Sequence, residues 1–171
     1  KDTFADDYIV NLNSIFFNSG FDLNICENVK TKINLLHLND VKKSTVYAKN
    51  FFKVNENSKL LLIERFDTNF ESNSNIVNYF ELGPGSEIIH LVIQNNSDNA
   101  DLQFSSHVNC DSNSTFKQFI FNVSKGSVRN HHYANLIGQN GIAYLQGIFF
   151  AAKDQVVDNK TLINHLSPDC I

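Results

Sequence analysis

The side chains best suited to chemistry are three cysteines, Cys26, Cys110 and Cys170, and the histidines of His107 and His131-His132-Tyr133. An odd cysteine count without Cys-x-x-Cys spacing gives neither a disulfide framework nor a zinc knuckle, so a reducing compartment is the default. His107 and Cys110 are three residues apart, on opposite faces of an ideal strand, and so make a poor metal-ligand pair. In His131-His132 neighbours point to opposite sides, and at most one imidazole can face any given site. With no acidic or cysteine partner nearby in sequence, these histidines read as solvated rather than catalytic. The densest polar cluster is Asp158-Asn159-x-Thr161 followed by His165 and Cys170. On spacing alone it reads as a turn plus a strand edge, ended by Pro168. Gly83-Pro-Gly85 is a turn and not a phosphate cradle, and no P-loop, nucleophile elbow, His-Glu-x-x-His or EF-hand motif is present. Paired carboxylates such as Asp6-Asp7 sit near a terminus. No catalytic residue and no metal ligand is assigned, and no cofactor-binding residue is identified.

The elements that must position these residues follow from a repeat. Polar turns recur at Glu27-Asn28, Asn55–Ser58, Gly83–Ser86, Asp111–Ser114 and Gly138–Gly141, spaced by about 28 residues. After each turn comes a β-rich run: 32–38, 60–66, 88–93, 116–123 and 142–150. Midway to the next comes a second: 44–54, 75–82, 102–110, 127–137 and 156–166. Apolar residues alternate within the runs, as in Phe21, Leu23, Ile25 or Ile89, Leu91, Ile93, which is the period of a pleated strand. Three-to-four spacing with caps is absent, so the expectation is almost all β. A two-strand unit this short cannot bury its own apolar face, and units must stack. The result is a β-solenoid of about five two-stranded coils in one domain spanning 1–171, with a β-sandwich as the alternative. Aligning the turns puts Cys110 in one apolar column with Val54, Leu82 and Ile137. Cys110 therefore reads as a small buried hydrophobe rather than a reactive thiol.

Composition sets the outer limits. With 15 Phe, 5 Tyr and only 19% charged residues, the chain carries too much apolar surface to be disordered. A net charge of −4, with no basic run longer than Lys42-Lys43, leaves no footprint for nucleic acid or an anionic membrane. No apolar run approaches the roughly 18 residues of a membrane span, and no signal or transit peptide is visible at Lys1–Val10. The 25 asparagines read as a compositional bias of the genome, and matches such as Asn113-Ser-Thr115 and Asn159-Lys-Thr161 as chance glycosylation patterns. The absence of Met and the start at Lys1 suggest part of a longer protein.

The stretch Val128-Arg129-Asn130 through Tyr133, Gly138 and Gly141, then Val157-Asp158-Asn159-Lys-Thr161-Leu-Ile163-Asn-His165-Leu-Ser-Pro168-Asp-Cys170, resembles the SUF-system iron–sulfur cluster assembly scaffolds of the SufB/SufD family, SufD more than SufB. Upstream, 57–64 and 83–94 are also similar, so the resemblance runs from about Tyr8 onward. It implies a right-handed parallel β-helix core without the family's flanking helical domains. It also implies a non-catalytic scaffold, not an enzyme, that pairs with a SufB-like paralogue and a SufC-like ATPase in the cytoplasm, or in a plastid of a eukaryote. An iron–sulfur cluster is implied for the whole complex and none for this stretch alone. The family's cluster-linked cysteine and histidine, its paralogue interface and its ATPase-docking segment lie beyond Ile171, so no residue here inherits those roles. A last coil left unpaired on one edge is expected to make the chain self-associate end to end, as a homodimer for example, or to be marginally stable. The competing function is a carbohydrate-binding or carbohydrate-cleaving β-solenoid. That reading needs outward carboxylates in register on neighbouring coils, and the sequence shows none.

Overall fold

One corner of each coil turns through the same backbone device, a residue in the left-handed region. Asn28, Asn57, Gly85, Asn113, Asn140 and Asp169 all have φ between 56° and 66°. Asparagine, aspartate and glycine are the residues that enter this region at least cost, so one column of the repeat is reserved for them. A computed structural model describes residues 7–39, 42–68, 71–151 and 155–171. These described residues form one helix, α1 (Tyr8–Phe16), and eleven strands: β1 (Ser19–Ile25), β2 (Lys30–Asn39), β3 (Ser44–Val54), β4 (Lys59–Thr68), β5 (Ser72–Leu82), β6 (Glu87–Asn96), β7 (Ala100–Cys110), β8 (Thr115–Asn122), β9 (Val128–Leu136), β10 (Ile142–Phe149) and β11 (Val157–His165). Odd strands form one six-stranded sheet in the order β1-β3-β5-β7-β9-β11, and even strands a five-stranded sheet, β10-β8-β6-β4-β2. Every pairing is parallel and joins like positions of consecutive coils. The chain is the β-solenoid that the turn period predicts, and the sandwich alternative is excluded.

The almost all-β expectation holds, and two details of it are corrected. The first is the reading that no capped helical segment is present. Ile9, Val10 and Asn13 of α1 are buried against the outer face of the odd-strand sheet. Asp7 caps the helix by accepting from the Ile9 N–H at 3.0 Å. Asn13 donates from Nδ2 to the carbonyls of Ala48 and Asn75 at 3.0 and 2.9 Å, and Asn75 donates back to the Ile9 carbonyl at 3.1 Å. The inward face of the helix is therefore partly polar, which hides its period. Of the carboxylate pair at the terminus, Asp7 is this cap, and Asp6 lies outside the described residues.

The second correction is one of register. Cys110 pairs with Leu136, not Ile137. The β5–β7 pairing matches Ser74 with Leu102, 28 residues on, but the β7–β9 pairing matches Leu102 with Val128, two residues short of that interval. The shortening is absorbed at Gly126, where a Cβ would lie 1.9 Å from the Ala100 carbonyl oxygen. The residue regained at the next turn lets both Ile137 and Gly138 donate to the Cys110 carbonyl, at 2.9 and 3.1 Å.

The lumen is filled by inward residues of both sheets. One end holds apolar ladders: Phe52 stacks on Phe80 at 4.8 Å, Phe80 packs on Phe116 at 5.2 Å, and Val54, Leu82, Cys110 and Leu136 line up beside them. A second apolar cluster of Phe66, Ile76, Val92, Leu102, Phe104 and Val128 sits further along the strands. Among the described residues no helix is long and apolar enough to cross a membrane.

Candidate functional site

Between the two apolar clusters runs a polar seam with a buried charge at its centre. β4 alternates Leu60, Leu62, Glu64 and Phe66 into the lumen, so strand period alone carries the Glu64 carboxylate to full burial. Three side chains meet it there. His37 Nε2 lies 2.7 Å from Oε1, His90 Nε2 lies 2.8 Å from Oε2, and Asn78 Nδ2 donates to Oε2 at 2.7 Å. Burial pushes the Glu64 pKa up, but the hydrogen bonds and charge interactions with His37 and His90 outweigh it and lower it to about 2. The carboxylate is therefore ionised and fully partnered inside the solenoid, which is the condition under which a buried charge is tolerated.

The seam continues from both sides of Glu64. Asn50 donates to Asn78 Oδ1 at 2.9 Å, one coil apart in the same column. On the other side His90 Nδ1 meets Gln118 Nε2 at 3.1 Å, Ser106 Oγ donates to Gln118 Oε1 at 3.3 Å, and Ser106 Oγ meets His132 Nδ1 at 2.7 Å. Gln94 and Asn130 form a second bridge at 2.7 Å, and Asn130 donates to Asn159 Oδ1 at 3.1 Å. None of Glu64, His37 or His90 stands out by motif. Their signal is a polar residue in an inward slot of a period-two apolar run.

The histidines singled out by sequence are placed differently from expectation. His131 and His132 do point to opposite faces, but neither is solvated: they are 8% and 5% exposed. His132 enters the seam, and burial lowers its pKa to about 3. His131 faces outward under α1, where its Nδ1 lies 2.6 Å from Asp7 Oδ2, and Tyr133 donates its hydroxyl to the same oxygen at 2.7 Å. The acidic partner was 124 residues away in sequence, and only the solenoid brings it near. Burial works against the Asp7 charge, but the bonds from Tyr133, His131 and the Ile9 N–H hold its pKa below the ordinary value. His107 stacks between Tyr79 and Tyr133, with centroids 5.1 and 4.8 Å away, and burial lowers its pKa to about 4. His107 and Cys110 do sit on opposite faces of β7, as strand geometry requires.

Cys110 is fully buried in the apolar column, and burial pushes its thiol up to about 12, so it is a core residue and a poor thiolate. Cys170 packs against the same cluster, and Cys26 is exposed. The polar cluster near the C-terminus divides. Asp158, Asn159 and Thr161 lie in strand β11 and not in a turn, with Asn159 and Thr161 in register with the lumen residues Asn130 and His132. Asp158 pairs outward with Arg129 at 2.8 Å, and Arg129 also reaches the Tyr8 hydroxyl. Pro168 follows the strand as expected. Among the described residues no group of three or more His, Cys, Asp or Glu is placed to hold a metal ion.

Against known proteins, residues 37–171 match the family model described as SUF system FeS cluster assembly, SufBD core domain. No curated protein and no solved structure matches the chain.

Proposed function

The chain belongs to the SufB/SufD family of SUF-system iron–sulfur cluster assembly proteins, and from that premise we propose that it is a SufD-type scaffold subunit that holds partners in geometry and performs no chemical step itself. The observation that carries this reading is the coincidence of family match and solenoid: residues 37–171 run from the end of β2 through β11. The interior of that rod is occupied largely by packed apolar side chains and by the polar seam around Glu64. What it offers other chains is its faces and strand edges, which suits a scaffold. The SufD assignment rests on the Arg129–Cys170 stretch, which forms β9, β10 and β11. Its partners are then a SufB-like paralogue and a SufC-like ATPase, with pairing of two copies of this chain as the alternative assembly. The iron–sulfur cluster is cargo of the whole complex and not a resident cofactor of this stretch, and the site of action is the cytoplasm or a plastid.

The carbohydrate reading requires carboxylates stacked on adjacent coils. Among the described strands no two acids pair in register: Glu87 is flanked by Lys59 and Thr115, Asp67 by Leu38 and Asn95, and Asp158 by Arg129. The decisive experiment is co-purification of the full-length protein with the SUF ATPase and the SufB paralogue. A stable complex with both is expected, whereas failure to bind where SufB alone binds the ATPase removes the scaffold assignment.

A further inference from the structure

The two sheets of the solenoid turn different surfaces outward. On the odd-strand sheet α1 packs against β3 and β5, and the outward positions are polar, as in Asp101, Gln103, Ser105, His107 and Asn109 of β7. The even-strand sheet carries no helix among the described residues. Every second residue of β4, β6 and β8 fills the lumen, and those between are largely apolar as well: Leu61 and Ile63, Ile89 and Leu91, Phe119 and Phe121. Leu61 pairs with Ile89, and Ile63, Leu91 and Phe119 stand in one row across the three strands. Phe119 is 39% and Phe121 41% exposed. Parallel strands that are apolar on both faces are ordinarily covered on both. Each of these three strands is paired on both sides, so the band belongs to the middle of the solenoid and not to either end.

Its dimensions and charge select what covers it. Three strands span about 14 Å across, and five residues about 17 Å along, a flat area on the order of 240 Å². Each side of a standard protein interface buries about 800 Å², so the band is too small to hold two copies sheet on sheet. A helix about 10 Å wide fills it in about three turns. The outward positions of the even strands hold Lys30, Lys32, Lys59, Arg65 and Lys117 against only Asp67 and Glu87, a net +3 on a chain of net −4. Lys59 and Lys117 share Glu87, at 2.8 and 3.1 Å, and Arg65 lies 3.8 Å from Asp67. Two copies face to face would set positive against positive. A bilayer, far wider than the band, meets the negative remainder of the chain as well. A narrow partner is screened from that remainder and meets the basic face alone.

We propose that the outer face of the even-strand sheet is a docking site for one amphipathic helix of a partner protein. The apolar stripe of that helix covers the β4–β6–β8 band, and Asp and Glu on its flanks meet the surrounding lysines. This docking role rests on the scaffold reading and adds to it the place where a partner sits. Its test uses no SUF component, so a failure here is distinct from a failure of the co-purification.

The experiment is fluorescence anisotropy of the full-length protein with a labelled synthetic helix of about 18 residues, long enough to form alone, with Leu along one stripe and Glu on both flanks. A second helix carries Lys in place of every Glu. The Glu helix is expected to bind with a Kd on the order of 10 µM, the Lys helix at least about tenfold more weakly, and added salt to narrow the gap. Leu91→Thr combined with Phe119→Thr keeps good strand formers at exposed positions, and should melt close to the wild type while abolishing binding. Should that variant fail to fold, Lys30→Glu combined with Lys32→Glu takes its place and should erase the preference for the Glu helix. Absence of binding, because the full-length chain covers the face itself, overturns the proposal. So do equal binding of the two helices, binding unchanged in the variants, a dimer that the threonine variant dissociates, and tighter capture by phosphatidylglycerol vesicles than by the Glu helix.

Discussion

The two ends of the lumen are built from one repeat and solve opposite problems. Toward the Asn57 and Asn113 turns, Phe52, Phe80 and Phe116 and the column Val54, Leu82, Cys110 and Leu136 make a dry ladder. Its attraction is non-directional, so any apolar side chain of similar volume satisfies it. One inward position further along the strands, Asn50, Asn78, Glu64, His90, Gln118, Ser106 and His132 form a chain in which each group needs one particular partner. The apolar end supplies stability. The polar seam makes each coil recognise the next, because a shift of one coil by a single residue would leave a buried charge alone.

Glu64→Ala is the strongest way to break the contrast. It leaves His37, His90 and Asn78 without their common acceptor inside the lumen and opens a cavity, for an expected loss of about 5 kcal/mol, at the upper end for a broken buried ion pair. Phe80→Ala attacks the other end, and its expected loss is about 4 kcal/mol from burial and cavity alone. Urea unfolding measures both. The distinguishing outcome is reversion: Phe80→Leu should recover much of the loss, whereas Glu64→Leu should recover little because the donors stay unpaired. Equal recovery in the two would dissolve the distinction.

Acid should separate the ends next. Glu64 has a folded pKa of about 2 against an ordinary value of 4.5, so its contribution is present above pH 4.5 and disappears as pH falls toward 2. The shift corresponds to about 3 kcal/mol. His132 and His107, lowered from 6.5 to about 3 and about 4, act in the same direction from a higher start. The unfolded chain takes up protons below pH 6.5 that the folded chain refuses, and stability falls from there. Stability measured from pH 7 to 3 should therefore decline in two overlapping limbs. Glu64→Gln should flatten the part below 4.5, and His132→Phe should weaken the limb that begins at 6.5. Phe80→Leu should run parallel to the wild type.

The same contrast explains what could be read from the sequence. Apolar ladders advertise themselves by period, so the strands, their parallel stacking and the burial of Cys110 were all legible. The seam was not. Glu64 and His90 look like ordinary surface residues until the strand phase places them inward, and Asp7 meets His131 only once α1 and strands β1–β8 have folded between them. The partly polar inner face of α1, anchored by Asn13, hid the helix for a related reason. Asparagine content, read as genome bias, proves to have structural work. Asn109, Asn135 and Asn164 form a side-chain ladder at 2.9 Å per step along the outside of the odd-strand sheet, and Asn50 with Asn78 form another inside.

The smallest expected effect tests the asparagines at the coil corners, which serve both ends of the lumen equally by setting the pitch of the chain. Asn57 has φ 56°, a conformation that costs a residue with an ordinary Cβ about 1 kcal/mol or more and glycine almost nothing. Asn57→Ala should lower stability by about that amount, while Asn57→Gly, the residue the next coil already uses at Gly85, should stay within about 0.5 kcal/mol of wild type. Thermal melts of the two variants decide it. Indifference to alanine would mean that the corner is held by its backbone bonds, such as Asn57 N–H to the Pro84 carbonyl at 3.0 Å, and not by the choice of residue.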